Sequence, residues 1–130
     1  MLRGLGLLAA IALTGGVVAA PAVAQPAPAP CAYVLSPPRL VDVDGTTMVT
    51  ATVDTGACDG AVTYQTMVCL QPTGGTGPGQ CAQGRGILPA QVFAPHRAGT
   101  SYTATGRGCA LRGNPPQSFC VEPQPSTVTL

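Results

Sequence analysis

From Cys31 onward, apolar and polar residues alternate with the period of a β-strand. The clearest example is residues 46–54, where Val49, Ala51 and Val53 share one face and polar residues occupy the other. Apolar residues never recur at helical spacing without an intervening proline or glycine. The pattern therefore predicts an all-β domain without helices.

Six segments show the strand pattern and are separated by turn-forming residues. They are residues 33–43, 46–54, 61–70, 86–94, 101–111 and 119–130. Pro37-Pro38 interrupts the first segment, which is typical of a kinked edge strand, and Asp44-Gly45 predicts a tight turn after it. Short strands of this kind favour a small antiparallel β-sandwich of about six to seven strands.

The N-terminal residues have the pattern of a secretory signal peptide. Arg3 precedes an apolar run of small residues, and residues 22–24 (Ala-Val-Ala) form the motif that signal peptidase accepts. We expect cleavage after Ala24 and a secreted, extracytoplasmic protein that keeps no stable membrane span. An uncleaved anchor stays open, because residues 4–24 are long enough to cross a bilayer.

The remaining sequence is organised as one domain. Residues 25–30 alternate proline with small or polar residues and predict a Pro/Ala-rich tether. Residues 31–130 have the length of a single domain. With Arg3 removed, five arginines balance five acidic residues and there is no lysine. A neutral chain without a basic cluster disfavours a nucleic-acid partner, and the motifs indicate no cofactor.

All six cysteines lie beyond the signal, which indicates a disulfide framework in an exported chain of this size. Alternation places Cys69 and Cys109 on outward faces, so that neither is expected to cross the core. We therefore predict that each of these two cysteines pairs with a cysteine nearby in the chain. Among the fifteen possible connectivities, the remaining pair, Cys31–Cys58, then follows by elimination. The predicted pairs are Cys31–Cys58, Cys69–Cys81 and Cys109–Cys120.

The third strand candidate carries a further prediction about the core. In residues 61–70 the alternation that turns Cys69 outward turns Val62, Tyr64, Val68 and Leu70 inward. Only five aromatic residues follow the signal, and there is no tryptophan. We therefore expect a thin core that depends on its disulfides.

Residues 102–109 (Tyr-Thr-Ala-Thr-Gly-Arg-Gly-Cys) resemble the penultimate strand of immunoglobulin-like domains, and the order of strands agrees with it. The chain is also similar to small exported β-sandwich proteins of actinobacteria, mostly uncharacterised. The resemblance implies an immunoglobulin-like fold and no particular activity. Local disulfides and the lack of tryptophan depart from that family, whose bridge crosses the core.

Asp54-Thr55-Gly56 matches the signature of aspartic proteases and resembles the retroviral type, in which two such aspartates share a proton at a dimer axis. The aliphatic pair and glycine that complete that family's pattern have no counterpart here, and the same residues are expected to end a strand in a turn.

Two other residue patterns contain potential catalytic or metal-binding groups. His96 is the only histidine and is expected to be a solvated loop residue. Residues 42–45 contain two aspartates but lack the other ligands of a calcium loop, so we interpret them as a turn and expect no metal site.

The segment between Cys109 and Cys120 resembles the reactive loop of Bowman–Birk serine protease inhibitors. That resemblance implies that Arg112 enters a trypsin-like pocket while the prolines that follow stiffen the loop. The ring here is three residues larger, with Leu111 and Gly113 in place of Thr and Ser. The candidate binding loop comprises Leu111, Arg112, Gly113, Asn114, Pro115, Pro116 and Gln117.

The leading interpretation is a non-enzymatic exported β-sandwich that binds an unknown protein or envelope partner. The alternatives are a protease inhibitor that uses residues 111–117 and an aspartic protease half-site at Asp54. An inhibitor requires an exposed Arg112 on a bridged hairpin, whereas a protease requires Asp54 at a symmetric dimer interface.

The signal-peptide interpretation can be tested directly. We expect the exported protein to begin at Gln25, because residues 22–24 form the best cleavage motif. N-terminal sequencing or intact mass measurement of the exported protein checks this. Membrane-held protein that still begins with Met1 would contradict it.

Overall fold

The computed structural model describes residues 15–21, 29–77 and 79–130, and these residues form nine β-strands and no helix. The strands are β1 (Cys31–Leu35), β2 (Arg39–Val43), β3 (Thr46–Cys58), β4 (Ala61–Pro72), β5 (Gln80–Arg85), β6 (Ala90–Pro95), β7 (Ser101–Arg112), β8 (Gln117–Val121) and β9 (Ser126–Thr129). They form two antiparallel sheets. The prediction of an all-β sandwich is confirmed.

In the first sheet β3 is central, with β6 on one side and β1 and β2 in succession on the other. In the second sheet the order is β5-β4-β7, and β8 and β9 lie in succession along the far side of β7. Each sheet therefore has one edge strand that is broken in the middle. Prolines lie at both breaks, Pro37 and Pro38 in one and Pro123 and Pro125 in the other, because proline has no N–H to donate to a ladder.

The strand count exceeds the prediction for two reasons. The first and last candidates are each split in two at these prolines. In addition, β5 lies between the strand candidates at residues 61–70 and 86–94 and was not predicted. Its inward positions, Ala82 and Gly84, are occupied by small residues, so the strand lacks the hydrophobic alternation that identified the others.

The core is built from small and β-branched side chains between the sheets. The alternation predicted for β3 is confirmed, since Val49, Ala51 and Val53 are fully buried. The opposite sheet contributes Val68, Leu70 and Tyr102. The Tyr102 hydroxyl donates to the carbonyl of Pro95 at 2.9 Å and accepts from the backbone N–H of Arg97 at 2.8 Å. These bonds fix the corner that leads from β6 to β7.

The prediction for β4 is correct for Val68 and Leu70 and wrong for Val62 and Tyr64. The latter two are 66% and 39% exposed. The ladder between β4 and β7 shifts register between Thr63 and Gln65, and an extra residue in one strand moves the following side chains to the other face. Thr63, which was expected on the outer face, is buried instead and hydrogen-bonds to the Tyr33 hydroxyl at 3.0 Å.

Two glycines of β7 allow the sheets to approach each other. A Cβ atom at Gly108 would lie 2.2 Å from the ring of Tyr33, and one at Gly106 would lie 2.5 Å from Val53. Both distances are shorter than real contacts, so that larger residues would force the sheets apart. The two glycines of the Gly-Arg-Gly sequence of β7 are therefore required by packing.

The three disulfides have the predicted connectivity, and no cysteine is free. Each joins residues that lie directly opposite each other on neighbouring strands of one sheet. As predicted, none crosses the core. Cys69 and Cys109 lie on the outer face of the second sheet, although they are only 7% and 6% exposed.

The predicted cleavage motif at residues 22–24 and residues 25–28 of the tether lie outside the described residues. Residues 15–21 are exposed and have no regular secondary structure. No helix among the described residues is long and apolar enough to cross a membrane.

Removal of the disulfides should destabilise the domain. We expect the double variant Cys31→Ala/Cys58→Ala to lose about 3.5 kcal/mol of unfolding free energy, and each of the other two double variants about 3 kcal/mol, because the first bridge closes the longest loop. Urea denaturation of the oxidised proteins measures this. Unchanged midpoints in all three variants would contradict the disulfide framework.

Gly108→Ala should destabilise the sandwich because its methyl group overlaps the Tyr33 ring. We expect a loss of about 2 to 3 kcal/mol in unfolding free energy, measured by denaturation. Gly56→Ala is the matched control, since a Cβ atom at this exposed glycine of β3 would lie 3.1 Å from the carbonyl oxygen of Ala32 and overlap no side chain. It should lose less than about 1 kcal/mol. Equal losses in the two variants would show that the Tyr33 contact is unimportant.

Candidate binding cleft

The loop proposed for binding forms the hairpin between β7 and β8. Residues 111–120 are exposed, and residues 113–116 form the turn. Arg112, however, is the last residue of β7 and pairs with Ala61 of β4 on one side and Gln117 of β8 on the other. A reactive residue needs a free backbone to pair with a protease. This placement does not favour the inhibitor alternative.

The other two candidate residues also differ from expectation. Asp54 is exposed, but β3 continues through it to Cys58, so that the Asp-Thr-Gly segment is part of a paired strand and does not end it. His96 is half-buried, and its Nε2 is buried without a hydrogen-bond partner among the described residues. His96 therefore lies in a loop as predicted, but it is only partly solvated. No cluster of potential metal ligands occurs in the described part of the chain.

The outer face of the second sheet contains two adjoining clefts, which share Met67 and Arg107. Their volumes are about 560 and 260 Å³. The larger cleft is lined by Met67, Cys69, Thr105, Gly106, Arg107 and residues 122–125. The smaller cleft is lined by Tyr64, Gln65, Thr66, Met67, Gln83, Arg107, Cys109 and Cys120. One disulfide therefore contributes to the wall of each cleft.

The broken edge strand creates the larger cleft. β8 ends at Val121 opposite Gly108, and β9 begins at Ser126 opposite Ala104. Residues 122–125 (Glu-Pro-Gln-Pro) form no strand between them, so that the middle of β7 lacks a neighbouring strand on this side. We call this gap the β7 notch.

The charged residues around the larger cleft have no ion-pair partner in the described part of the chain. Arg107 and Glu122 are both exposed and both line it. Neither side chain forms an ion pair or hydrogen bond with any described residue. A guanidinium and a carboxylate are thus available in one cleft for a ligand with complementary charges.

Sequence reasoning did not identify this site. Met67 and Arg107 lie in different strands, and only the register of β4 against β7 places them opposite each other. The sequence contained one relevant signal, the alternation in each strand. It places Met67 on the outward face of β4 with Cys69, and Arg107 on the outward face of β7 with Cys109. That signal gives the face of each strand but not which residues are neighbours across the sheet.

Comparisons with known proteins do not assign the chain to a family. No protein-family model, curated protein or solved structure matches it. The residues of the cleft are therefore the basis for a functional proposal.

The charged residues of the cleft should contribute little to folding. Because Arg107 and Glu122 are exposed and unpaired, we expect Arg107→Gln and Glu122→Gln each to change the unfolding free energy by less than about 0.5 kcal/mol. Tyr102→Phe is the positive control, since it removes two hydrogen bonds at a buried hydroxyl and should cost about 1 to 3 kcal/mol. Denaturation of the three variants measures this, and losses in the charge variants as large as in the control would assign them a structural role.

Proposed function

We propose that the protein is an exported, non-enzymatic binding module with an immunoglobulin-like sandwich, and that the outer face of its second sheet binds the partner. The three disulfides support an extracytoplasmic location, because such bonds persist mainly in oxidising compartments. The partner is a protein or another component of the cell exterior.

The strand order supports the immunoglobulin-like part of the proposal. When each broken edge is counted as one strand, three strands face four. The connections from β3 to β4, from β5 to β6 and from β6 to β7 cross between the sheets in Greek-key fashion. Tyr102 provides a second argument. Its hydroxyl bonds back to the backbone at the corner before its own strand, as the tyrosine corner does in immunoglobulin-like sandwiches.

The single observation that carries the binding function is the pair of unpaired charges in the larger cleft. If these charged side chains had partners elsewhere in the fold, the cleft would offer no charged group to a ligand. Arg107 and Glu122 have no such partners among the residues that the structure describes, and the cleft has the volume of sites that hold small ligands.

Site-specific photo-crosslinking tests this function. A photoreactive residue replaces Gln124 in the cleft wall, and a matched control replaces Gln91, which is exposed on β6 in the opposite sheet. The oxidised protein is exposed to the exterior fraction of the producing cells. We expect an adduct at position 124 that is lost with Arg107→Gln, and none at position 91. The absence of adducts, or adducts at both positions that are indifferent to Arg107→Gln, would contradict the proposal.

A further inference from the structure

We propose that the larger cleft binds an extended peptide segment that carries one acidic and one basic side chain, and that the peptide backbone pairs with Gly106 in the β7 notch. This inference rests on the proposed binding function and specifies its ligand class. Its three elements are the backbone of Gly106, the charges of Arg107 and Glu122, and the composition of the cleft wall.

The ladder determines where the backbone of Gly106 points. The Cα atoms of Cys109 and Cys120 are 4.1 Å apart, which is the spacing of the pair type that exchanges no backbone hydrogen bonds. Hydrogen-bonded and non-hydrogen-bonded pairs alternate along an antiparallel ladder. Gly108 and Gly106, which lie one and three residues before Cys109, therefore direct their N–H and C=O groups toward the side of β7 on which β8 and β9 lie. Gly108 meets Val121 of β8, whereas Gly106 faces the notch.

The wall of the notch does not satisfy these groups. No backbone hydrogen bond joins Gly106 to residues 122–125 within the described part of the chain. Pro123 and Pro125 have no N–H to donate. Gly106 therefore presents one donor and one acceptor to the cleft, and one residue of an extended peptide supplies the matching acceptor and donor.

The charges specify the side chains of the ligand. A guanidinium binds a carboxylate with two parallel hydrogen bonds, so Arg107 selects an acidic residue. Glu122 selects a basic one. Alternate side chains of an extended peptide lie on the same face, and an acid and a base two residues apart can therefore contact the two charges from one side of the peptide.

The remaining lining suits such a ligand. Met67 forms part of the cleft surface, and its unbranched thioether adapts to apolar groups of different shape. The aliphatic stem of a lysine or glutamate in the ligand provides such a group. A volume of about 560 Å³ accommodates a few residues, so that the ligand is a segment and not a folded domain.

Binding of defined peptides to the oxidised protein tests the inference. The probes are acetyl-Thr-Glu-Thr-Lys-Thr-amide, the same peptide with Glu and Lys exchanged, and a version of each with an N-methyl group on the central threonine. NMR titration should show binding of one charge order, with shifts at Gly106, Arg107 and Met67. N-methylation should weaken it about fivefold or more, because it removes the donor that pairs with the Gly106 carbonyl.

The variants separate charge recognition from general binding. Arg107→Gln and Glu122→Gln should each weaken the preferred peptide about fivefold or more. Arg39→Gln, an exposed arginine of β2 in the other sheet, should leave the affinity unchanged. Equal binding of both charge orders, or of the N-methylated peptide, would overturn the proposed recognition.

The outcomes also distinguish this inference from the proposed function. An Arg107-dependent photo-adduct at position 124 together with no peptide binding would refute the peptide ligand and leave the binding module standing. If neither the adduct nor peptide binding is found, both proposals fail.

Discussion

The inability of proline to donate a backbone hydrogen bond determines much of this structure. Proline pairs break one edge strand in each sheet, which divides a seven-strand arrangement into nine strands. Broken edges are also poor templates for further strand pairing. In the second sheet the break leaves the middle of β7 without a neighbour and so forms the larger cleft. The same constraint thus protects the edge and provides the candidate binding site.

The sandwich compensates for a thin core in two ways. Each disulfide joins adjacent strands within one sheet, so that the bridges stabilise the sheets separately. The sheets themselves are held together by packing, in which Gly108 of β7 leaves room for the ring of Tyr33 and Tyr102 fixes the corner between them. Removing the covalent bonds and disturbing this close contact are therefore two independent ways to weaken the fold.

The position of the disulfides also affects the candidate site. Cys69–Cys81 and Cys109–Cys120 both lie on the outer face of the second sheet, where they flank Met67 and Arg107. Strands joined by short covalent bridges hold a groove in a fixed shape. A site that is ordered before binding loses less conformational entropy when a ligand enters, which suits a cleft whose recognition groups are few.

The sequence by itself determined the all-β class, the inward face of β3, the turn after β2 and the pairing of all six cysteines. These features depend on local alternation and on short-range geometry, which residues near one another in the chain specify. Val62, Tyr64 and Thr63 were assigned to the wrong faces because a bulge depends on the partner strand. Strand β5 was missed because its inward residues are small. The cleft itself was decided only by the tertiary structure, since Arg107, Glu122 and the backbone of Gly106 come together through strand register and a broken edge, and no local pattern encodes which strands are neighbours.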